Sequence, residues 1–227
     1  RKIQVYIGRT GASIEEATYI PPPANEVVQL FSNFEKYLNS DEEKDRLVQI
    51  AVAHYQFEAL HPFLDGNGRV GRLIISLFLY EKKLLSHPFL YLSEFFEEHR
   101  QEYYELLRGV SEKQDWGNWI KFFLHGLEVQ ARKAEKTGSE MLKLHTVYKE
   151  KILQTNSVYA NILLDGIFVR PIFTTASLRK HVHIKNTQTY FTLIKKFVGM
   201  GILKEADPKK KRNKVYVFTE LIELLNK

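Results

Sequence analysis

Between His61 and Arg72 the chain reads His-Pro-Phe-Leu-Asp-Gly-Asn-Gly-Arg-Val-Gly-Arg. A histidine with an unperturbed pKa of about 6.5 can take a proton from an attacking group near neutral pH. Gly66 and Gly68 admit left-handed or closely approached backbone that a β-carbon would block. Asn67 between them carries both a donor and an acceptor. Val70, Ile74, Leu77 and Phe78, with Leu73 beside them, then fall at helical spacing. A glycine-rich turn opening into a helix presents free N–H groups and the positive end of the helix dipole, which favours an anion. Arg69 and Arg72, three residues apart, share one side of the first turn. Cations are mildly unfavourable there, and two of them make sense beside a polyanion. Asp65 would be repelled by that polyanion unless a magnesium ion lay between them, held by one or two carboxylates and by phosphate oxygens. The implied chemistry is the holding of a nucleotide phosphate chain with Mg2+ while His61 deprotonates a nucleophile. A lone His-Pro or Gly-Asn-Gly is ordinarily only a turn. All of these groups in one register are not.

The segment resembles the signature of the Fic family, HPFx(D/E)GNGRxxR, with every specified position occupied from His61 to Arg72. The resemblance implies a mostly helical core and transfer of AMP from ATP to a Ser, Thr or Tyr hydroxyl of a protein target. It assigns His61 as general base and Asp65 as the Mg2+ ligand. Gly66, Asn67 and Gly68 become the phosphate-holding loop, Arg69 contacts the outer phosphates and Arg72 supports them. Pro62 is read as shaping the loop and Phe63 as anchoring it in the core. Aromatic residues near Tyr103 and Tyr104 line the nucleotide pocket in the family, so both are candidate ATP contacts. Some relatives carry Asn seven residues beyond the second tyrosine, where this chain has Ser111. Two other readings stay open. One is a Doc-like kinase, although such relatives carry Ala and Lys where Gly66 and Gly68 stand here. The other is a DNA-binding regulator that uses the nucleotide site as a sensor.

These residues need a scaffold. Leu47 to Leu60 has the pattern of a helix that delivers His61 at its end, with Tyr55 and Phe57 read as core. Upstream, Val27, Leu30, Phe31, Phe34, Tyr37 and Leu38 form a helical stripe behind Pro21-Pro22-Pro23. Val5–Ile7 and Thr18–Ile20 suggest a hairpin, which the resemblance makes a flap over the site that pairs with an extended target segment. Downstream, Tyr103 and Tyr104 sit inside one helix and Trp116 to Trp119 start another. Trp116 and Trp119 are assigned to the core. The region Trp119 to Tyr148 is expected to be helical, with a break or hinge at Gly138. The organisation expected is mainly α: a flap over 1–20, a Fic-type core over 21–149 and a further domain over 150–227.

That further domain differs in charge. Residues 150–227 hold 14 Lys/Arg against 6 Asp/Glu, a net of +8, leaving 19 against 21, or −2, for residues 1–149. The asymmetry suggests an anionic partner. Thr174-Thr175-Ala176-Ser177 offers N-caps for a short helix through His181. A second helix follows over about 186–200, with Tyr190, Phe191, Ile194 and Phe197 on its apolar side, and Ile202-Leu203 and Val215–Phe218 read as strands. Helix, turn, helix and a hairpin with a basic tip resemble a winged helix-turn-helix domain. The resemblance implies DNA contacts by the second helix, at Lys185, Asn186, Thr187, Gln188, Thr189, Lys195 and Lys196, and by the wing, at Lys209, Lys210, Lys211 and Arg212. A partner-docking module is the alternative. His181 and His183, without carboxylate or cysteine companions, are read as surface residues.

Cysteine is absent, which excludes disulfides and thiol chemistry. No run approaches the roughly 18 apolar residues of a membrane span, and no basic-then-apolar leader opens the chain. A cytoplasmic protein with no membrane association is expected, and a homodimer is left open. The chain opens on Arg1 rather than Met, so an upstream segment is expected. Family members often carry an inhibitory (S/T)xxxE(G/N) helix whose glutamate reaches the second signature arginine, here Arg72. Ser93…Glu97, Thr146…Glu150 and Thr219…Glu223 match its first part but are followed by Glu98, Lys151 and Leu224. That helix is therefore expected upstream.

Overall fold

The structure, a computed structural model, describes residues 1–9, 11, 13–207, 209 and 212–226. The chain folds as two units, Arg1–Ala134 and Glu135–Lys227.

In the first unit, the triple proline precedes α1 (Val27–Asn39), which buries Val27 and Phe34. The Asp45 carboxylate caps α2 (Arg46–Leu60) by accepting from the N–H groups of Leu47 at 2.9 Å and Val48 at 3.3 Å. α2 is the central element, and it buries Ile50, Ala51, Ala53, Phe57 and Leu60 together with the polar Gln49 and His54. α3 (Asn67–Glu81), α4 (Ser93–Glu98) and α5 (Arg100–Lys113) follow, and α6 (Trp116–Lys151) starts in this unit and ends in the second. Trp119, fully buried, donates its indole N–H to the Ala51 carbonyl at 2.9 Å, so the largest core side chain carries no unpaired donor.

Three expectations are corrected here. The buried line of α3 is Gly71, Ile75, Phe78 and Leu79, while Leu73 and Leu77 are exposed. Gly71 is the reason: it has no side chain, so Phe57, His54 and Glu58 of α2 occupy the space where a β-carbon would sit. α3 therefore turns its glycine, not its leucines, towards α2. Among the described residues the flap is a single bridge, Ile7 to Tyr19, rather than a ladder, with a 3-10 turn at Ile14–Glu16 between the two sides. α6 runs unbroken through Gly138, because one helical glycine costs only about 1 kcal/mol relative to alanine and no proline accompanies it.

The second unit contains α7 (Ala160–Val169), β1 (Ile172–Thr174), α8 (Thr175–Arg179), α9 (Thr187–Gly199), β2 (Lys204–Glu205), β3 (Val215–Val217) and α10 (Thr219–Leu225). The strands form an antiparallel sheet ordered β1-β3-β2, with Val217 opposite both Ile172 and Lys204. Leu163, Leu164, Leu178, Tyr190, Phe197 and Phe218 centre its core. Thr174 and Ser177 form a reciprocal capping box at the start of α8. The strand expected at Ile202-Leu203 lies two residues later, since both of those side chains turn into the core before the ladder begins. Phe191 is 41 % exposed instead of lying on the apolar side of α9. β1 and α10 carry too few residues to show a period and had no counterpart in the sequence reading.

Candidate active site

His61 caps the C-terminus of α2 in left-handed geometry, φ 48° and ψ 60°, with its N–H donating to the Phe57 carbonyl at 3.0 Å. Histidine is among the few residues that visit this region with any frequency, and the turn carries the chain sharply out of the helix. Its Nδ1 is buried with no hydrogen-bond partner among the described residues. Burial lowers the His61 pKa below its ordinary value, an effect the Glu58 main-chain carbonyl partly opposes.

The loop that follows is held from inside. Asn67 is almost fully buried; its Oδ1 accepts from the Phe63 N–H at 2.8 Å and its Nδ2 donates to the Phe63 carbonyl at 2.9 Å. Both ends of its amide are thus engaged with Phe63, and Asn67 braces the loop from inside. Phe63 is itself 44 % exposed, so its backbone, not its ring in the core, ties the loop down. Gly66, at φ 81°, is the N-cap of α3, and no side chain caps the helix. The first N–H groups of α3 are therefore open to a ligand.

Both arginines fold against glycine. A β-carbon at Gly66 would lie 3.4 Å from Arg69 Nη2, and one at Gly68 would lie 3.1 Å from Arg72 Nη1. Arg69 pairs with Asp65 at 3.3 Å, both side chains exposed. Arg72 instead donates from Nε to Ser93 Oγ at 3.0 Å. Asp65 is an open carboxylate, and among the described residues no cluster of three His, Cys, Asp or Glu converges on one point. Its donor set fits Mg2+ if nucleotide oxygens and water complete the shell, as that ion prefers.

A cavity of about 510 Å3 adjoins this region, lined by Ile7 to Arg9, Thr18 and Tyr19 of the flap, by Tyr55, Glu58 and Ala59 of α2, and by one face of α5 from Arg100 to Glu112. Tyr104 lines it, beneath the Arg100 guanidinium at 5.8 Å. Tyr103 does not: it is buried, its hydroxyl lies 3.0 Å from His54 Nε2, and burial raises its pKa well above the ordinary value. Successive helical residues point about 100° apart, and here that turns Tyr103 into the core and Tyr104 to the cavity. Tyr55, read as core, also lines the cavity, its hydroxyl 2.9 Å from Ser111 Oγ. The sequence assigns Glu58 no role and offers Ser93 only in the partial motif Ser93…Glu97. Glu58 was findable, lying one helical turn before His61 in a helix expected to end at the site. Ser93 reaches Arg72 only through the fold.

Residues 2–79 match the Fic/DOC family. That match lies within the first unit, over the flap, α1, α2 and most of α3. Over 124 residues the chain is 32 % identical to a protein adenylyltransferase Fic of Culex quinquefasciatus, spanning 54 % of this chain and 22 % of that protein. Over 96 residues it is 33 % identical to a probable protein adenylyltransferase of Aquifex aeolicus, spanning 42 % of this chain and 28 % of that one. The chain thus covers well under a third of the length of these curated relatives. A crystal structure of a Fic family protein from Desulfovibrio desulfuricans G20 matches the fold with a TM-score of 0.53 at 22 % identity, covering 96 % of this chain and 61 % of that one. The Fic signature coincides with the turn between α2 and α3 and the first turns of α3 described above.

In the second unit, Lys185 and Gln188 are exposed at the start of α9, as are Thr187 and Lys195. Asn186 is the exposed N-cap of α9, its side-chain oxygen accepting from the Thr189 N–H at 3.0 Å. Lys196 donates to the Thr155 carbonyl at 2.7 Å. Lys209 and Arg212 are exposed, and Lys210 and Lys211 lie outside the described residues. His181 and His183 are exposed. No helix among the described residues is long and apolar enough to cross a membrane.

Proposed function

We propose that the Fic unit transfers AMP from ATP to a hydroxyl of a Ser, Thr or Tyr side chain on a protein target. The observation that carries this reading is the complete signature folded as a single turn. A histidine closes α2, a braced loop follows, and α3 opens uncapped with two guanidinium groups laid against its glycines. ATP offers its phosphates to the open N–H groups, Arg69 and Arg72, while its base enters the cavity beside Tyr104 and Tyr55. Mg2+ held by Asp65 and the phosphates would neutralise charge on the transferring group. His61, neutral because burial lowers its pKa, takes the proton of the target hydroxyl as its oxygen bonds to the α-phosphorus. The bond from that phosphorus to the α–β bridging oxygen breaks, and pyrophosphate leaves with the electron pair. ATP supply makes a cytoplasmic setting part of this proposal. Incubation with ATP labelled at the α or the γ position, Mg2+ and cell lysate tests it. Transferred α label supports AMP transfer, γ label would make the protein a kinase, and neither would leave a nucleotide sensor.

For the second unit we propose a winged helix that contacts DNA. Its support is the order of α8, α9 and the β2–β3 hairpin, with an exposed polar start to α9 and a cationic tip at Lys209 and Arg212. Duplex affinity should fall as salt rises, with a log–log slope of about −0.9 per phosphate contact. Neutralising Lys209 to Arg212 should flatten that slope, and no duplex shift at low salt would refute the proposal.

A further inference from the structure

The flap reaches back to the carbonyls that end α2. A helix leaves its last C=O groups without partners inside the helix, and cations are favourable at that end. Here carbonyls on both sides of the His61 turn accept from the flap segment. Tyr19 Oη donates to the Ala59 carbonyl at 3.0 Å, Arg1 Nε to the His61 carbonyl at 3.1 Å, and the Arg1 main-chain nitrogen to the Pro62 carbonyl at 2.7 Å. The rest of the Arg1 fork goes to the flap itself: Nη1 donates to the Ile3 carbonyl at 3.3 Å and Nη2 to the Pro22 carbonyl. One guanidinium thus joins the chain entering the flap, the chain leaving it and the residue that caps α2.

The clamp falls on a strained residue. His61 is left-handed, a conformation that a residue other than glycine keeps only where its surroundings over-determine it. Its Nδ1 has no hydrogen-bond partner among the described residues, so the turn is held through the backbone. Holding the His61 carbonyl fixes rotation about the Cα–C bond, and with it the angle between the imidazole and the loop that leads to α3. The ionisable groups set around this turn are Arg1 and Tyr19 of the flap, Glu58 of α2, Asp65 of the loop and Arg69 of α3. Burial lowers the His61 pKa, and the Arg1 charge adds to that by opposing a second cation on the ring. Arg1 does not line the cavity beside the site.

We propose that Arg1 is a positioning residue for His61: anchored on both ends of the flap, its guanidinium holds the His61 carbonyl and so sets the approach of the imidazole to the hydroxyl it deprotonates. The proposal rests on the reading of His61 as the base of AMP transfer. A lysine at this position would keep the positive charge but not the rigid fork that reaches three carbonyls. A glutamine would keep neither. Displacing a base by about 1 Å costs on the order of a hundredfold in rate, and nucleotide binding, made elsewhere in the site, should not follow.

The experiment compares wild type, Arg1→Lys and Arg1→Gln, each checked for native circular dichroism. Transfer of α label into lysate protein is followed as ATP is varied. At saturating ATP both variants should be slower by about ten- to a hundredfold, with the ATP KM within about twofold of wild type. In parallel the His61 ring, identified as the imidazole resonance missing from His61→Ala, is titrated by NMR without nucleotide. Its midpoint should rise in Arg1→Gln, where the charge is gone, and stay at the wild-type value in Arg1→Lys. Undiminished rates in both variants would overturn the proposal, as would a loss carried by the ATP KM or a midpoint unmoved in Arg1→Gln. A midpoint that rises as expected in a protein whose wild type transfers no α label would instead reject AMP transfer, and the positioning role with it.

Discussion

Replacing Asn67 by alanine removes two hydrogen bonds at once, the 2.8 Å contact from the Phe63 N–H and the 2.9 Å contact to the Phe63 carbonyl. Each is worth about 1 kcal/mol net, and a partner left dry costs about 1–3 kcal/mol. Asn67 is almost fully buried, so water cannot enter to repair the loss without opening the loop. A total of about 3 kcal/mol is the reasoned magnitude. For a unit spanning Arg1–Ala134, a shift of roughly 3–5 °C per kcal/mol lowers the first unit's Tm by about 10 °C. Asn67→Asp should be no milder. Its carboxylate keeps the acceptor for the Phe63 N–H but sets a second oxygen against the Phe63 carbonyl. The assay is thermal unfolding followed by circular dichroism, with ATP binding measured well below the transition. ATP affinity should fall along with Tm, because the uncapped start of α3 is placed by the loop that Asn67 braces. Lost ATP affinity with an unchanged Tm would refute the reasoning and make Asn67 a direct phosphate contact.

Three further outcomes are expected. His61→Ala should reduce label transfer by about a hundred- to ten-thousand-fold while calorimetry finds ATP binding retained; loss of binding would remove His61 from the role of base. Arg69→Ala should weaken ATP more than AMP, because its exposed guanidinium lies over Gly66 at the outer side of the loop; equal weakening would reverse the proposed phosphate register. Stability should depend on pH through two opposed groups, and denaturant titrations from pH 3 to 8 can separate them. His54, held neutral with its pKa lowered to about 3, makes the fold lose stability as pH falls below about 6.5, by up to about 1.4 kcal/mol per unit. Glu58, its pKa raised to about 7, makes the fold lose stability as pH rises from about 4.5 to 7. The two slopes cancel between about pH 4.5 and 6.5, so Glu58→Gln should uncover a rising slope there, and a flat profile in that variant would contradict the burial of His54 as a neutral ring.

What was legible in the sequence was what local chemistry decides. The end of α2 at His61, the start of α3 at the glycines and the Thr174 cap of α8 follow from residue types a few positions apart. Asn67 shows where that stops. Its residue type said only that it could donate and accept, and the reciprocal pair with Phe63 depends on how the loop closes. The stripe on α3 was displaced for a similar reason. Hydrophobic spacing located a helix correctly, but the face turned inward was set by Gly71 against Phe57, His54 and Glu58, a fit between two helices. Tyr103 and Tyr104 divide because the helix does. One joins His54 in the core and the other meets the cavity. Ser93, 21 residues beyond Arg72, leaves no trace in spacing at all.

The placement of unpaired polar atoms carries the argument one step further. Among the described residues the buried side-chain atoms without a hydrogen-bond partner are His54 Nδ1, Gln56 Oε1, Glu58 Oε1, His61 Nδ1 and Thr155 Oγ1. Four of these five belong to the last two turns of α2 and its cap, and no other buried side-chain N or O atom among the described residues of that unit lacks a partner. Stability alone would favour apolar side chains at such positions, since a half-satisfied polar cluster is worse than a packed apolar one. Concentration in the one helix that ends at the signature histidine therefore points to use rather than to loose packing, because groups with perturbed protonation gather where a site needs them. A neutral His54 under Gly71, a carboxyl of Glu58 poised near neutrality and a His61 held as free base form a graded series along one helix. His54 is fully buried, Glu58 lines the cavity and His61 stands at the loop itself.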